Sequence, residues 1–255
     1  MSTDAALLSV HGLSFHYGTT RVLDAVALDV HAGEWVCLYG PNGAGKSTLL
    51  HCIVGLARPD PGARVLHGGR PLEHDTVAVR RAMRFAVGPD DVPGELSLAQ
   101  YLELVASAHG VDAPGRIASE LMDGFGLGPH MRKRLSRCSL GTRQKAAIVA
   151  AFVGQPSLVV LDEPFNGLDA ESLMVAKRIF SGFARTGAIL MACHGIEIVA
   201  EWCSRIDHLA RGTIRDRIDL VDWRAGGRSV RALEEQLLPR RDHGSDAGTM
   251  LRDAV

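Results

Sequence analysis

The chain has 255 residues, of which 46% are hydrophobic and 22% are charged, and its formal net charge is −1. This length and composition exclude a disordered or fibrous chain and are typical of one large domain, alone or with a smaller appendage. Because no run of five or six like charges occurs, a broad nucleic-acid surface is not expected, and the basic cluster within residues 132–137 is more typical of a solvated loop.

Cysteine usage and hydropathy indicate the compartment. The five cysteines are odd in number and form no C-x-x-C pair, which predicts free thiols in a reducing compartment and not a disulfide framework or a zinc site. The first ten residues lack the pattern of a signal peptide. No window approaches the roughly 18 apolar residues of a spanning helix. We therefore expect a cytoplasmic chain that reaches a membrane only through a partner.

The first part of the chain predicts strands around a glycine-rich loop. Val- and Leu-rich segments with partial alternation, separated by a turn at Tyr17 and Gly18, predict an antiparallel β layer. A nearly continuous apolar run at 34–39 is typical of a strand buried on both faces. The predicted elements are strands at 7–15, 22–30, 34–39, near Val65 and at 85–87, and a helix from Lys46 to about Val54.

The stretch of about 90–140 shows no strand signal and predicts an inserted helical subdomain. Ser97 is suited to cap a helix in which apolar residues such as Leu98, Tyr101 and Leu102 recur at helical spacing. A further helix is expected at 114–125.

The second half of the chain alternates helices and strands, which predicts a parallel sheet covered by helices. We predict an α/β domain over 1–225 with a mainly parallel core sheet, and a partly disordered tail over 226–255. The predicted elements are helices at 142–153 and 171–184, strands at 158–161 and 188–192, a hairpin of 206–210 with 214–217, and a weak helix at 232–238.

Residues 40–47 fit the G-x-x-x-x-G-K-[ST] pattern of a phosphate-binding loop, placed between a predicted strand and a predicted helix. Glycines let backbone N–H groups converge on phosphate oxygens, and the helix N-terminus adds positive potential. Lys46 supplies a cation for the outer phosphates and Ser47 a hydroxyl for Mg²⁺. A chance glycine-rich turn is the alternative. The predicted nucleotide contacts of this loop are Asn42, Gly43, Gly45, Lys46, Ser47 and Thr48.

A second element of the nucleotide site is predicted at the end of the strand at 158–161. Asp162 follows this apolar strand, so its carboxylate is expected at the edge of the sheet where it can reach Mg²⁺. Glu163 follows directly and is suited to orient or deprotonate an attacking water. The alternative is a polar strand end that caps the next turn.

Together these residues resemble the ATP-binding cassette (ABC) family over about residues 7–217. Tyr17 matches the aromatic residue that stacks on adenine, and residues 138–142 (CSLGT) match the signature loop. Residues 166–169 (NGLD), which end in Asp169, match the loop that contacts a second cassette. His194 matches the histidine that senses the γ-phosphate. Outside this order of motifs, Tyr17 would be a structural turn residue and His194 an ordinary surface or core histidine.

The resemblance implies the P-loop NTPase fold and hydrolysis of ATP with Mg²⁺, with Glu163 and His194 as the catalytic residues. In similar proteins two cassettes face head to tail, so that Ser139 and Gly141 of one contact the γ-phosphate bound by the other. The implied partners are a second cassette, identical or related, and an integral-membrane permease, but no nucleic acid. The protein is then peripheral on the inner face of the cell membrane, in a bacterial, exporter-like system.

Two places depart from the family pattern. Leu140 and Thr142 stand where the signature loop usually has Gly and Gln, although Ser139 and Gly141 remain. Gly88 stands where a Gln that contacts the metal and the water is usual. We therefore expect hydrolysis to be slow, or an Asp or a water to substitute.

The residues alone leave three possible functions. The leading prediction is the energy-coupling subunit of a transporter, with export favoured by the altered signature loop and by the lack of an appended regulatory domain. A soluble ABC-type ATPase acting on nucleic acid or ribosomes is the second, but such relatives usually have two cassettes or a long coiled-coil insertion. An ATP-sensing regulator with weak hydrolysis is the third, favoured by Gly88 and opposed by Glu163 and His194. The transported substrate cannot be read from this chain.

Overall fold

A computed structural model describes residues 5–72, 79 and 81–237 of the chain. Its strands, which form two sheets, are β1 (Leu8–Tyr17), β2 (Thr20–Val30), β3 (Trp35–Tyr39), β4 (Arg64–His67), β5 (Arg70–Pro71), β6 (Met83–Ala86), β7 (Leu158–Asp162), β8 (Ala188–Ala192), β9 (Arg205–Ala210) and β10 (Thr213–Asp219). The α-helices with described bounds are α1 (Lys46–Ile53), α2 (Leu98–Ala108), α3 (Arg116–Gly124), α4 (Leu140–Ala151), α5 (Ala170–Phe183), α6 (Ile196–Trp202), α7 (Leu220–Ala225) and α8 (Val230–Leu237).

The larger sheet has the strand order β10-β9-β3-β8-β7-β6. Neighbouring strands from β9 to β6 are parallel, and β10 pairs with β9 in the antiparallel direction. The predicted mainly parallel core sheet is therefore confirmed. Because β3 lies between β8 and β9, the loop that follows β3 begins in the interior of the carboxyl edge of this sheet.

The smaller sheet has the order β2-β1-β4-β5 and is antiparallel, which confirms the predicted N-terminal layer. Strands β1 and β2 pair Leu8 with Val30 and Val10 with Leu28. All four side chains are fully buried. The partial alternation in the sequence thus reflects a layer that turns one face toward the core.

Two hydrophobic clusters lie on the two faces of the core sheet. Along β3, Val36 and Leu38 belong to the cluster that includes the antiparallel layer and α1. Trp35 and Cys37 belong to the other cluster, which includes residues of helices α2 to α8. Since successive strand side chains point to opposite faces, a strand buried on both sides needs a continuous apolar run. The five cysteines are buried and free, as predicted.

The stretch 90–140 contains α2, α3 and two short 3-10 turns, with one isolated bridge between Ser97 and Arg134. Ser97 caps α2 as predicted. Its hydroxyl accepts a hydrogen bond from the Gln100 N–H, and the Gln100 side chain accepts one from the Ser97 N–H. Among the helices in the described ranges, none combines the length and the apolar content needed to cross a bilayer.

Several elements differ from their predicted bounds. Helix α4 begins at Leu140 and not at residue 142, because the Ser139 hydroxyl accepts a hydrogen bond from the Thr142 N–H and makes Ser139 the N-cap. Strand β6 begins at Met83, where its pairing with β7 begins. Helix α7 is present in the structure but was not predicted from the sequence. Asp219 caps it by accepting two backbone hydrogen bonds.

The predicted tail packs against the domain as far as residue 237. Helix α8, at Val230–Leu237, nearly coincides with the helix predicted at 232–238. Its Leu233 and Leu237 are buried in the same cluster as residues of the core sheet. The last residues, for which the sequence predicts disorder, lie outside the described part of the chain.

The chain leaves β3 in close contact with β9. A Cβ atom added at Gly40 would lie 2.0 Å from the carbonyl oxygen of Leu209. No side chain tolerates such a distance, because the atom it meets belongs to a backbone and cannot rotate away. Glycine is therefore required at the start of the 40–47 loop by strand packing, apart from any ligand.

The Gly40→Ala variant is expected to lower the free energy of unfolding by about 3 kcal/mol, because relieving this overlap needs a backbone shift. Gly182→Ala is the matched control. Gly182 lies in open space near the end of α5, so alanine there is expected to raise the free energy of unfolding by about 0.5–1 kcal/mol. Chemical denaturation of the three proteins measures both effects. A Gly40→Ala variant as stable as the wild type would contradict the close approach.

Candidate functional site

The 40–47 loop follows β3 and leads into α1. Gly43 and Gly45 have φ angles of +77° and +100°, which residues with side chains rarely adopt. A Cβ atom on Gly45 would also lie 2.8 Å from the Cδ2 atom of Leu23 in β2. The antiparallel layer therefore packs directly on this loop, and the glycines allow both its conformation and its packing.

Helix α1 begins at Lys46 with no side-chain cap and no acidic residue in its first turn. Since the first N–H groups of a helix lack intrahelical partners, this end is suited to an anion. Lys46 is buried, and its Nζ donates to the carbonyl oxygens of Gly40 at 2.9 Å and Pro41 at 3.2 Å. Burial lowers the pKa of Lys46, and the carboxylates of Glu163 and Asp162 oppose this shift.

A cleft of about 340 Å³ opens over the loop, which is within the usual size of a ligand site. Most of the predicted nucleotide-site residues meet in this cleft. Among the residues that line the cleft, Val22 was not predicted, because nothing in the sequence distinguishes it from other apolar residues of a strand. The cleft is lined by Tyr17, Val22, Asn42, Gly43, Gly45, Lys46, Ser47, Thr48, Glu163 and His194.

Tyr17 forms one wall of the cleft at the end of β1. Its residue surface is 59% exposed, and its ring packs edge to face on Phe15, with the ring centroids 4.8 Å apart. An exposed ring held by one neighbour is suited to stack on a planar ligand.

Glu163, His194 and Lys46 approach one another inside the cleft. Glu163 Oε1 lies 3.0 Å from His194 Nε2, and Lys46 Nζ lies 3.4 Å from the same nitrogen. Burial raises the pKa of Glu163, while His194 and Lys46 oppose this rise. The backbone of Glu163 has φ +45°, a left-handed conformation that costs about 1–3 kcal/mol outside glycine. A carboxyl group with a raised pKa and a strained backbone is typical of a functional position.

Asp162 ends β7 next to Glu163 but is not among the residues that line the cleft, and its Oδ1 atom is buried without a hydrogen-bond partner among the described residues. A buried carboxylate oxygen of this kind is suited to a cation. Ser47, at the start of α1, lines the cleft. Groups of three or more His, Cys, Asp or Glu side chains suited to a metal are absent from the described ranges. Mg²⁺ at phosphate sites usually takes only one or two protein ligands, so Ser47 and Asp162 fit this ion.

Ser139, Gly141 and Asp169 do not line the cleft. Ser139 caps α4 and Asp169 caps α5, each by accepting a hydrogen bond from the backbone N–H three residues on. A Cβ atom at Gly141 would lie 2.7 Å from the Gly167 carbonyl oxygen, so the two loops are in contact. Lys145 pairs with Asp169 at 2.8 Å, and this hydrogen bond lowers the pKa of Asp169. These three residues form a second group, apart from the Lys46 cleft.

The loop after β6 contains Gly88. A Cβ atom there would lie 2.9 Å from Asp91 Oδ2, so an aspartate carboxylate occupies the space where a side chain at residue 88 would begin. Arg143 of α4 holds the loop: its Nε donates to the Pro89 carbonyl at 2.8 Å and its Nη2 pairs with Asp90 Oδ1 at 2.7 Å. Gly88 and Asp91 both lie outside the lining of the cleft.

Known proteins are similar to this chain in sequence and in fold. The family model for ABC transporters matches residues 23–166. A putative ABC transporter ATP-binding protein of Halobacterium salinarum is 34% identical over 231 residues, which cover 86% of this chain and 95% of that protein. The aliphatic sulfonates import ATP-binding protein SsuB of a Mycobacterium species is 32% identical over 255 residues, which cover 96% and 99%.

A solved structure of an ATP-binding subunit of an ABC transporter superposes on the chain with a TM-score of 0.80 and 29% identity, and covers 91% of this chain and 100% of that one. The family model alone matches more than half of the chain. The chain therefore belongs to the ABC transporter family, as an ATP-binding cassette of the ATPase type with the P-loop fold.

Proposed function

We propose that the chain is the ATP-hydrolysing subunit of a transporter and that ATP binds in the cleft over the 40–47 loop. The observation that carries this proposal is the approach of Glu163 to His194 within 3.0 Å, in the same cleft as Lys46. A carboxyl group of raised pKa beside a phosphate-binding loop is what activation of an attacking water needs. The names of relatives as ATP-binding proteins of transporters support the assignment.

In this proposal some groups of the chain bind ATP and others take part in its hydrolysis. The N–H groups of the 40–47 loop and the Lys46 ammonium bind phosphate oxygens, and Tyr17 stacks on the adenine. Glu163 orients the attacking water and accepts its proton on a carboxylate oxygen, while the bond from the γ-phosphorus to the bridging oxygen breaks. His194 contacts the γ-phosphate. Asn42, Gly43, Gly45 and Thr48 complete the phosphate contacts.

Ser47 and Asp162 are the residues that would hold Mg²⁺. When bound, this ion would neutralise charge on the phosphates during transfer. The buried, unpartnered Oδ1 atom of Asp162 supports this role.

The Glu163→Gln variant is expected to lower kcat at least about a hundredfold, because the amide cannot accept the proton, with the Kd for ATP within about threefold of wild type. Glu201→Gln is the control, since Glu201 is exposed and pairs with Lys177 outside the cleft; it is expected to keep the wild-type rate. Steady-state phosphate release and equilibrium ATP binding measure the two quantities.

Two results would count against this assignment. Equal rates for Glu163→Gln and wild type would remove Glu163 from the chemistry. A wild type that binds ATP but releases no phosphate would favour the ATP-sensing regulator, the alternative that Gly88 suggests.

We also propose that a second cassette completes the site. Ser139 and Gly141 lie at the N-terminus of α4, which is suited to an anion, but they do not line the cleft of their own chain. A head-to-tail pair of cassettes would bring this helix end to the γ-phosphate in the partner's cleft and would use Asp169 at the contact between the two. A second copy of this chain or a related chain fits this geometry.

Mixing two inactive variants tests the shared site. Lys46→Ala and Ser139→Ala are each expected to lose turnover, and their mixture is expected to recover up to about a quarter of the wild-type rate. Half of the dimers are then mixed, and each mixed dimer has one intact site. Phosphate release is measured at equal total protein, against each variant alone. Absence of any recovery would contradict a site shared between two copies of this chain, and wild-type turnover by Ser139→Ala alone would contradict the role of Ser139.

A separate integral-membrane permease is the further partner that we propose, and it would hold the protein at the inner face of the cell membrane. The relatives' names support a transport role, but they do not fix its direction: one relative is named for import of aliphatic sulfonates, whereas the altered signature loop of this chain favours export. The permease selects the substrate. Co-purification of this chain with a membrane protein, and not with nucleic acid, would separate this role from that of a soluble ABC-type ATPase.

A further inference from the structure

Helix α4 reaches the turn that carries Glu163 through one buried side chain. Gln144 is 3% exposed, and its Nε2 donates to the carbonyl oxygen of Pro164 at 3.1 Å in the protein interior. Pro164 directly follows Glu163 in the chain. A buried amide that loses its partner is costly, so this contact strongly constrains the place of the Pro164 carbonyl.

The turn at Glu163 needs such constraints. Its backbone has φ +45°, and a strained conformation persists only where the surroundings hold it. The Glu163 N–H donates to the Ala192 carbonyl at 3.0 Å, and the Glu163 carbonyl accepts from the Asn166 N–H at 3.3 Å. The proline that follows favours an extended backbone at Glu163, which adds to the strain of this left-handed turn. Two backbone hydrogen bonds of Glu163 thus already hold this turn. The bond from Gln144 adds a third, at the carbonyl of Pro164.

We propose that Gln144 is a positioning residue for Glu163: its hydrogen bond to the Pro164 carbonyl holds the left-handed turn and aims the Glu163 carboxylate at His194. This inference rests on the proposed function, in which Glu163 accepts the proton of the attacking water. Gln144 does not line the cleft, so its removal leaves the ATP contacts in place. Its effect is therefore expected in kcat and not in ATP affinity.

The Gln144→Met variant removes the amide donor while keeping the side-chain length. It is expected to lower kcat about tenfold, because a small misplacement of a reacting group has a large effect on rate, and to change the Kd for ATP less than twofold. Gln144→Leu is a second variant without a donor, which leaves the Pro164 carbonyl without this partner; it is likewise expected to lower kcat and to leave the Kd for ATP unchanged within twofold. Gln100→Met is the control, since Gln100 is exposed and its side chain accepts a bond from the Ser97 N–H in the cap of α2.

Combining these changes with Glu163→Gln separates positioning from general loss of structure. If Gln144 acts through Glu163, then Gln144→Met is expected to change the residual rate of Glu163→Gln less than twofold. A full tenfold loss in that background, or wild-type kcat in both Gln144 variants, would overturn the inference. Wild-type kcat in Glu163→Gln alone would instead overturn the proposed function, so the two failures are distinguishable. Denaturation midpoints confirm that each variant is folded at the assay temperature.

Discussion

The contact of Lys46 and Glu163 with one nitrogen of His194, at 3.4 and 3.0 Å, joins three loops at the carboxyl edge of the core sheet. Burial lowers the pKa of Lys46 and raises that of Glu163. Removing charged groups from water is costly, and their mutual attraction offsets part of that cost. The loops that follow β3, β7 and β8 are thereby held together at the site that we propose for ATP.

The core sheet makes this contact possible. Strands β3, β8 and β7 are neighbours and parallel, so residues that are far apart in sequence leave the sheet at the same edge. Two positions at this edge are restricted: Gly40 is packed on the Leu209 carbonyl, and Glu163 has a left-handed backbone. The site is thus built from positions that are difficult to change singly, which is typical of functional sites.

Local sequence patterns predicted the fold class and the loop residues that line the cleft, because each depends on a short segment, whereas Tyr17 and His194 were assigned through the resemblance to the family. The 40–47 loop, the apolar strand that ends at Asp162 and the cap at Ser97 are recognisable within a few residues. Contacts across the fold were not predictable in this way. The bond from Gln144 to Pro164 joins residues 20 positions apart, and the approach of Asp91 to Gly88 depends on how the loop after β6 folds. Such contacts follow from tertiary packing and leave no periodic signal in the chain.

Calorimetry of Mg²⁺-ATP binding to wild type and to Lys46→Ala tests whether ATP binds in the cleft over the 40–47 loop. Lys177→Ala is a suitable control, because Lys177 pairs with Glu201 outside the cleft. We expect saturable binding by the wild type and by Lys177→Ala, and affinity reduced at least about tenfold in Lys46→Ala, which loses the cation for the outer phosphates. Equal affinity of Lys46→Ala and wild type, or no binding by the wild type, would contradict binding of ATP in this cleft.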